Sequence, residues 1–235
     1  MPVLLLARGD PQAKDLLRKA IEARYGARPP ALDSLRIDFK GKAKTKIGPI
    51  TAKVPVDVTA YFKFPTSMRW DFTVKPLKLS IQRGVEAYNG EIYRTVRGGK
   101  QATVITDEQQ IDSMRCRLWA VAAILLTPLS DLVVKLTTTG DYSLKATNTK
   151  LNDDAEIFLR EDYSLDHVLV NCLNPDTNLQ QNYLLRSGEE LANVDDLLLP
   201  NKISVFWDDE MSFEVKPSSV HSNPEIPDSV FDLEE

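Results

Sequence analysis

Histidine and cysteine are scarce in this chain of 235 residues: His167, His221, Cys116 and Cys172. A zinc site or a Ser-His-Asp triad needs several such groups to converge, so the histidines read as surface residues. Two cysteines make no disulfide framework. They read as two separate buried thiols or as one bridge, and leave the redox compartment open. HExxH, GxSxG, P-loop and GxGxxG motifs are all missing. No apolar run reaches the roughly 18 residues that a membrane helix needs. The longest, LWAVAAILLTPL at 118–129, stops at Pro128. Basic runs interleaved with aromatics are lacking too, and the net charge is −5, which argues against a nucleic-acid partner.

What is present is an ordinary globular composition, 43% hydrophobic and 27% charged. A chain of this length can bury roughly 70–75% of its unfolded surface and needs no metal or disulfide to fold. No repeat or composition shift divides it, so one domain over 1–235 is expected. The run Val3 to Ala7 reads either as the stub of a secretory signal within residues 1–9 or as a frayed tail. Asp10-Pro11 then signals a helix start, because Asp can cap free N–H groups and Pro suits the first helical position. Ala13, Leu16, Leu17, Ala20 and Ile21 form its apolar stripe, and Gly26 with Pro29-Pro30 ends it.

From Leu35 the period changes to two. Leu35, Ile37 and Phe39 alternate with charged residues, Gly48-Pro49 turns the chain, and Ile50 to Phe64 alternates again. Pro55 cannot donate to a ladder, so an edge or bend is expected there. After Pro65-Thr66-Ser67 come Met68–Val74 and a strand carrying Leu77, Leu79 and Ile81. Asn89-Gly90 and Gly98-Gly99 mark further turns. A second helix, capped by Thr106 or Asp107, carries Ile111, Met114, Leu118, Val121, Ala122, Leu125 and Leu126 on one face. Arg115 and Arg117 fall off that face, and a short helical turn through Leu132 and Val133 follows Pro128. Strands resume from Gly140, at 142–147, 157–160, 165–173, 180–186, 198–207 and 211–216. An acidic tail, 222–235, is tacked down by Ile226, Val230 and Phe231. The fold class expected is α+β: a strongly curved antiparallel sheet with helices on its concave face.

Carboxylates cluster at Asp153-Asp154, Asp195-Asp196 and Asp208-Asp209-Glu210, all in expected turns, where solvated acids are ordinary. A carboxylate-dependent hydrolase would need two of them to converge in one cleft. The run at Asp208 lacks the spaced loop of a strong calcium site. The stronger signal is YFKFPTSMRWDFTV at 61–74, which sets Phe62, Phe64, Met68, Trp70 and Phe72 on one side. That side either closes against the second helix as solid core or lines an apolar pocket. A filled core would leave the sheet edge or the acidic tail to bind another protein.

Five segments in order resemble the bacterial lipoprotein-carrier (LolA/LolB-like) family: LDSLRIDFKGK at 32–42, YFKFPTSMRWDF at 61–72, EAYNGEIY at 86–93, LPNKISVFW at 199–207 and PEIPDSVFDL at 224–233. The resemblance implies an incomplete barrel whose mouth is covered by helices. It implies a non-catalytic carrier of lipid or acyl chains in the periplasm or cell envelope. The lining it implies, taken with the apolar helix face, is Phe62, Phe64, Met68, Trp70, Phe72, Met114, Leu118, Trp119, Ala122 and Leu125, with the helix from Glu108 to Leu126 as lid. No catalytic residue, metal or cofactor is expected. The expected partners are a hydrophobic small molecule or lipid and a protein of the envelope, bound by a monomer that does not span the membrane. Carriers of lipoproteins place a basic residue just before the proline of the YFKFP-like strand. Here that residue is Phe64, and Lys63 and Arg69 have outward parity.

Overall fold

A computed structural model describes residues 6–47, 50–75 and 82–233. The Gly48-Pro49 turn, the strand expected around Leu77 to Ile81 and most of the Val3–Ala7 run lie outside them. In chain order the elements are β1 (Arg8–Gly9), α1 (Pro11–Tyr25), β2 (Ser34–Ile47), β3 (Ile50–Lys63), β4 (Ser67–Val74), β5 (Gln82–Tyr88), β6 (Tyr93–Arg97), β7 (Thr103–Ile105) and α2 (Glu108–Leu125). Then come β8 (Val134–Gly140), β9 (Ser143–Asn148), β10 (Asp153–Leu159), β11 (Leu165–Asn174), β12 (Leu179–Ser187), β13 (Leu191–Val194), β14 (Leu197–Pro200), β15 (Ile203–Trp207), β16 (Glu210–Ser222) and α3 (Ser229–Asp232).

Both long helices begin where the sequence places their caps. The Asp10 carboxylate accepts the Ala13 N–H at 2.7 Å, and Asp107 accepts that of Gln110 at 3.1 Å. Asp10 also accepts the Thr138 N–H at 2.8 Å and its hydroxyl at 2.7 Å, so one side chain caps α1 and ties it to β8. The α1 stripe of Ala13, Leu16, Leu17, Ala20 and Ile21 is buried. Its last turn meets the end of α2. The Arg24 guanidinium donates to the Ile124 carbonyl, and the Tyr25 hydroxyl to that of Leu125 at 3.0 Å. Those terminal carbonyls have no partner within their own helix.

Among the described residues, fourteen strands form one open sheet in the order β1-β8-β9-β10-β11-β12-β15-β16-β2-β3-β4-β5-β6-β7. The expectation of a purely antiparallel sheet is corrected at one edge, where Arg8–Gly9 runs parallel to Lys135–Leu136. Gly9 permits this: its φ is +123°, and a Cβ there would lie 1.9 Å from the Leu136 carbonyl oxygen. The helical turn expected through Leu132 and Val133 is also corrected. A 3-10 turn occupies Thr127–Ser130, and β8 starts at Val134, where Val134 and Leu136 alternate inward. The single strand expected at 198–207 is two. β13 and β14 form a separate hairpin, and β15 begins after Pro200-Asn201. Asp195 in that hairpin accepts from the Val220 N–H at 2.8 Å, which fixes it to β16. Pro55 lies just past the last β3–β4 pair, Val56 with Val74, so its missing donor falls where the strand outruns its neighbour. In the tail, α3 packs on β4 and β5, with Phe231 and Ile226 buried.

Candidate functional site

Strand parity gives the sheet an inner face, and the register assembles it. Across β2, β3 and β4 the same-side sets are Leu35–Phe62–Met68, Ile37–Ala60–Trp70 and Phe39–Val58–Phe72. On β5, Tyr88, Glu86 and Gly84 stand opposite Met68, Trp70 and Phe72. Gly84 leaves room for the Phe72 ring, because a Cβ there would lie 2.2 Å from that ring's edge. Phe62 stacks on Phe64 with centroids 5.5 Å apart and meets Trp70 edge-on at 5.7 Å.

The ten residues expected to line a pocket do not share one environment. Phe62, Met68, Met114, Leu118, Trp119, Ala122 and Leu125 are buried in a single apolar core. Phe64 and Trp70 pack half-buried against that core, and Phe72 is half-buried on the same parity. The α2 helix packs chiefly on β11, then on β10 and β12, rather than directly over β3 and β4. Trp119 Nε1–H donates to the Ala146 carbonyl at 2.9 Å. At the other end of the inner face, Val58, Val74, Phe213, Ile203 and Trp207 remain half-buried against the core.

A polar group stands inside this apolar face, and the helical wheel misplaced it. Arg117 was expected off the buried side of α2, but it is 8% exposed. Its Nη1 donates to Glu86 Oε2 at 3.1 Å, joining α2 to β5. Burial disfavours the Arg117 charge, but the Glu86 carboxylate paired with it more than offsets that, and its pKa is held above the usual arginine value. Burial pushes the Tyr93 phenol up to about 12, and Glu86 adds to the shift; Tyr183 is raised by burial as well. A buried ion pair adds little net stability, but removing one partner strands the other. The signal for Glu86 was present in the sequence, since it has the inward parity of Gly84 and Tyr88.

Asp153 corrects the reading of the acid clusters as solvated turns. It is 4% exposed and pairs with Arg115 at 3.0 Å, and burial raises its pKa. Cys116 donates weakly to it at 3.8 Å, and burial pushes that thiol up to about 12. Neither cysteine is in a disulfide. Asp208 spends its oxygens on the Asn182 N–H and the Gln181 amide, and the described residues hold no group of three metal-ligating side chains. His167 is partly buried, stacked on Phe158 at 4.3 Å and bonded to Asp166 at 2.7 Å. A cavity of about 430 Å³ opens where β10 and β11 part. It is lined by polar groups including Asp154, Glu156, Asn171 and Asn182 rather than by the aromatic strands. No described helix is long and apolar enough to cross a membrane.

Three solved structures share this architecture. A LolA superfamily protein from Nitrosomonas europaea superposes with a TM-score of 0.51 at 14% identity, covering 93% of this chain and 96% of its own. A DUF1329 family protein from Desulfovibrio piger gives 0.50 at 12%, covering 94% and 97%. A domain named for outer membrane lipoprotein sorting, from Vibrio parahaemolyticus, gives 0.50 at 11%, with the same two coverages of 94% and 97%. At these identities the likeness is one of fold, and the chain has a LolA-like fold. No protein-family model and no curated protein matches the sequence.

Proposed function

We propose that this protein is a non-catalytic carrier that holds an acyl chain, lipid or other hydrophobic ligand between the inner face of the large sheet and α2. The reading is carried by the half-buried band of Val58, Trp70, Phe72, Phe213 and Trp207, an apolar surface continuous with the core. An alkyl chain laid along it would gain about 0.8 kcal/mol per buried CH₂. In this reading the sheet is an incomplete barrel, α2 is the lid over its concave side, and the buried face of α2 moves to admit ligand. The likeness to a domain named for lipoprotein sorting supports a role in the periplasm or cell envelope, and the working form proposed is a monomer. Phe64 before Pro65, in place of a basic residue, favours a ligand retained by apolar contact.

A second reading, a protein-interaction module with a filled core, is supported by the complete burial of Phe62, Met68, Met114 and Leu118. Native mass spectrometry of protein purified from its host, followed by titration with the neutral fluorophore phenylnaphthylamine, separates the two. The carrier reading expects a co-purified lipid or saturable uptake of the dye. A lipid-free protein that takes up no dye supports the filled core.

A further inference from the structure

Two buried N–H donors on the inner face have no hydrogen-bond partner among the described residues: Nε1 of Trp70 and Nε of Arg117. Both residues neighbour Glu86. Trp70 stands directly opposite Glu86 in the β4–β5 ladder, and Glu86 accepts from Arg117. Other buried atoms without partners lie elsewhere: Arg36 and Arg94 have outer-face parity, Thr127 is in the turn after α2, and Asn148 ends β9. A buried donor left unmatched costs about as much free energy as a hydrogen bond gains, so such groups are otherwise rare. The anion of this cluster is Glu86, which accepts from Arg117; the Tyr93 and Tyr183 phenols beside it are neutral, and burial raises both further.

Resting on the carrier reading, we propose that Trp70 and Arg117 form the polar recognition point of the hollow, and that it takes an uncharged carbonyl, the ester or amide of an acylated ligand. A carbonyl oxygen has two lone pairs and no proton, and so complements two N–H groups. The Arg117 charge is already matched by Glu86. A ligand carboxylate would therefore bring a second, uncompensated anion into a buried site, whereas an ester or amide adds no net charge. The indole meets Phe62 edge-on and stands beside Phe72 on β4, so an acyl chain anchored at Trp70 continues along the half-buried band.

The test is displacement of phenylnaphthylamine by three probes of matched length: methyl decanoate, undecane and the decanoate anion. The ester is expected to compete about tenfold better than the hydrocarbon, the size of one satisfied buried hydrogen bond, and better than the anion. Trp70→Phe keeps an aromatic ring and removes the donor, so it is expected to reduce the ester's advantage over undecane severalfold, each measured on the variant itself. Equal competition by ester and undecane in the parent protein overturns the proposal whatever the variant does, as does a full ester preference in a folded Trp70→Phe protein. Stronger binding of decanoate than of its ester overturns the uncharged assignment. If the dye itself does not bind, the carrier reading fails and this inference falls with it; if dye and undecane bind without ester preference, only this inference fails.

Discussion

Two of the three tryptophans, Trp119 on α2 and Trp70 on β4, stand in contrasting halves of the molecule. Trp119 lies on α2, which packs on β10, β11 and β12. It is 2% exposed, its indole N–H is satisfied by Ala146 of β9, and Ala146, Ile157 and Val168 on these strands are fully buried. Trp70 lies in the half built from β2 to β5 with β15 and β16. There the ring is half-buried, its N–H has no partner, and Val58, Phe72 and Phe213 are half-buried as well. Both halves share one parity and one apolar composition. What differs is the reach of α2, which packs on β10, β11 and β12. A helix of 18 residues covers only part of a fourteen-stranded sheet, and in the carrier reading the ligand extends from beneath α2 onto the uncovered part.

The largest test of this contrast is truncation in the shut half. Trp119→Ala is expected to lose about 3–5 kcal/mol of unfolding free energy in urea, as a large cavity in a packed core does. A loss below about 1 kcal/mol would erase the distinction between the halves. Next is the ion pair that spans them. Arg117→Met leaves Glu86 buried alone and is expected to cost about 3 kcal/mol. Adding Glu86→Met should restore most of that, which a double-mutant cycle reads directly. In the open half, Phe213→Ala is expected to cost only about 1–2 kcal/mol, because the ring is not fully buried, yet to weaken dye uptake about tenfold. Equal damage to stability from Phe213→Ala and Trp119→Ala would place both in one core. The smallest effect concerns Asp10. Three hydrogen bonds from Ala13 and Thr138 hold its carboxyl below the ordinary 3.8. A folded-state pKa below the unfolded one gives stability that is fully present above that value and lost as pH falls through the folded pKa. Asp10→Ala should therefore cost about 1 kcal/mol at pH 7, with the gap to the parent narrowing as the pH falls below 3.8 in thermal melts.

Local rules account for what the sequence revealed. Asp10-Pro11 and Asp107 started their helices, the α1 stripe turned inward, and the alternation at 61–74 became β3 and β4 in that register. What escaped was decided by partners far along the chain. Arg117 reads as polar on a helical wheel, and only Glu86, thirty-one residues earlier, makes its burial tolerable. Asp153 reads as a turn acid until Arg115 pairs with it. Arg8–Gly9 carries no strand pattern, and joins the sheet because Gly9 can approach Leu136. The aromatic strands and α2 share one core, as their patterns suggest, but no periodicity says which strands a helix crosses.

The most direct test of the carrier account is a phenylnaphthylamine titration of the lipid-stripped protein, read by dye fluorescence and by native mass spectrometry. The account predicts saturable uptake near one equivalent, displaced by acyl esters and weakened by Phe213→Ala. A folded protein that takes up no dye at any concentration would contradict it.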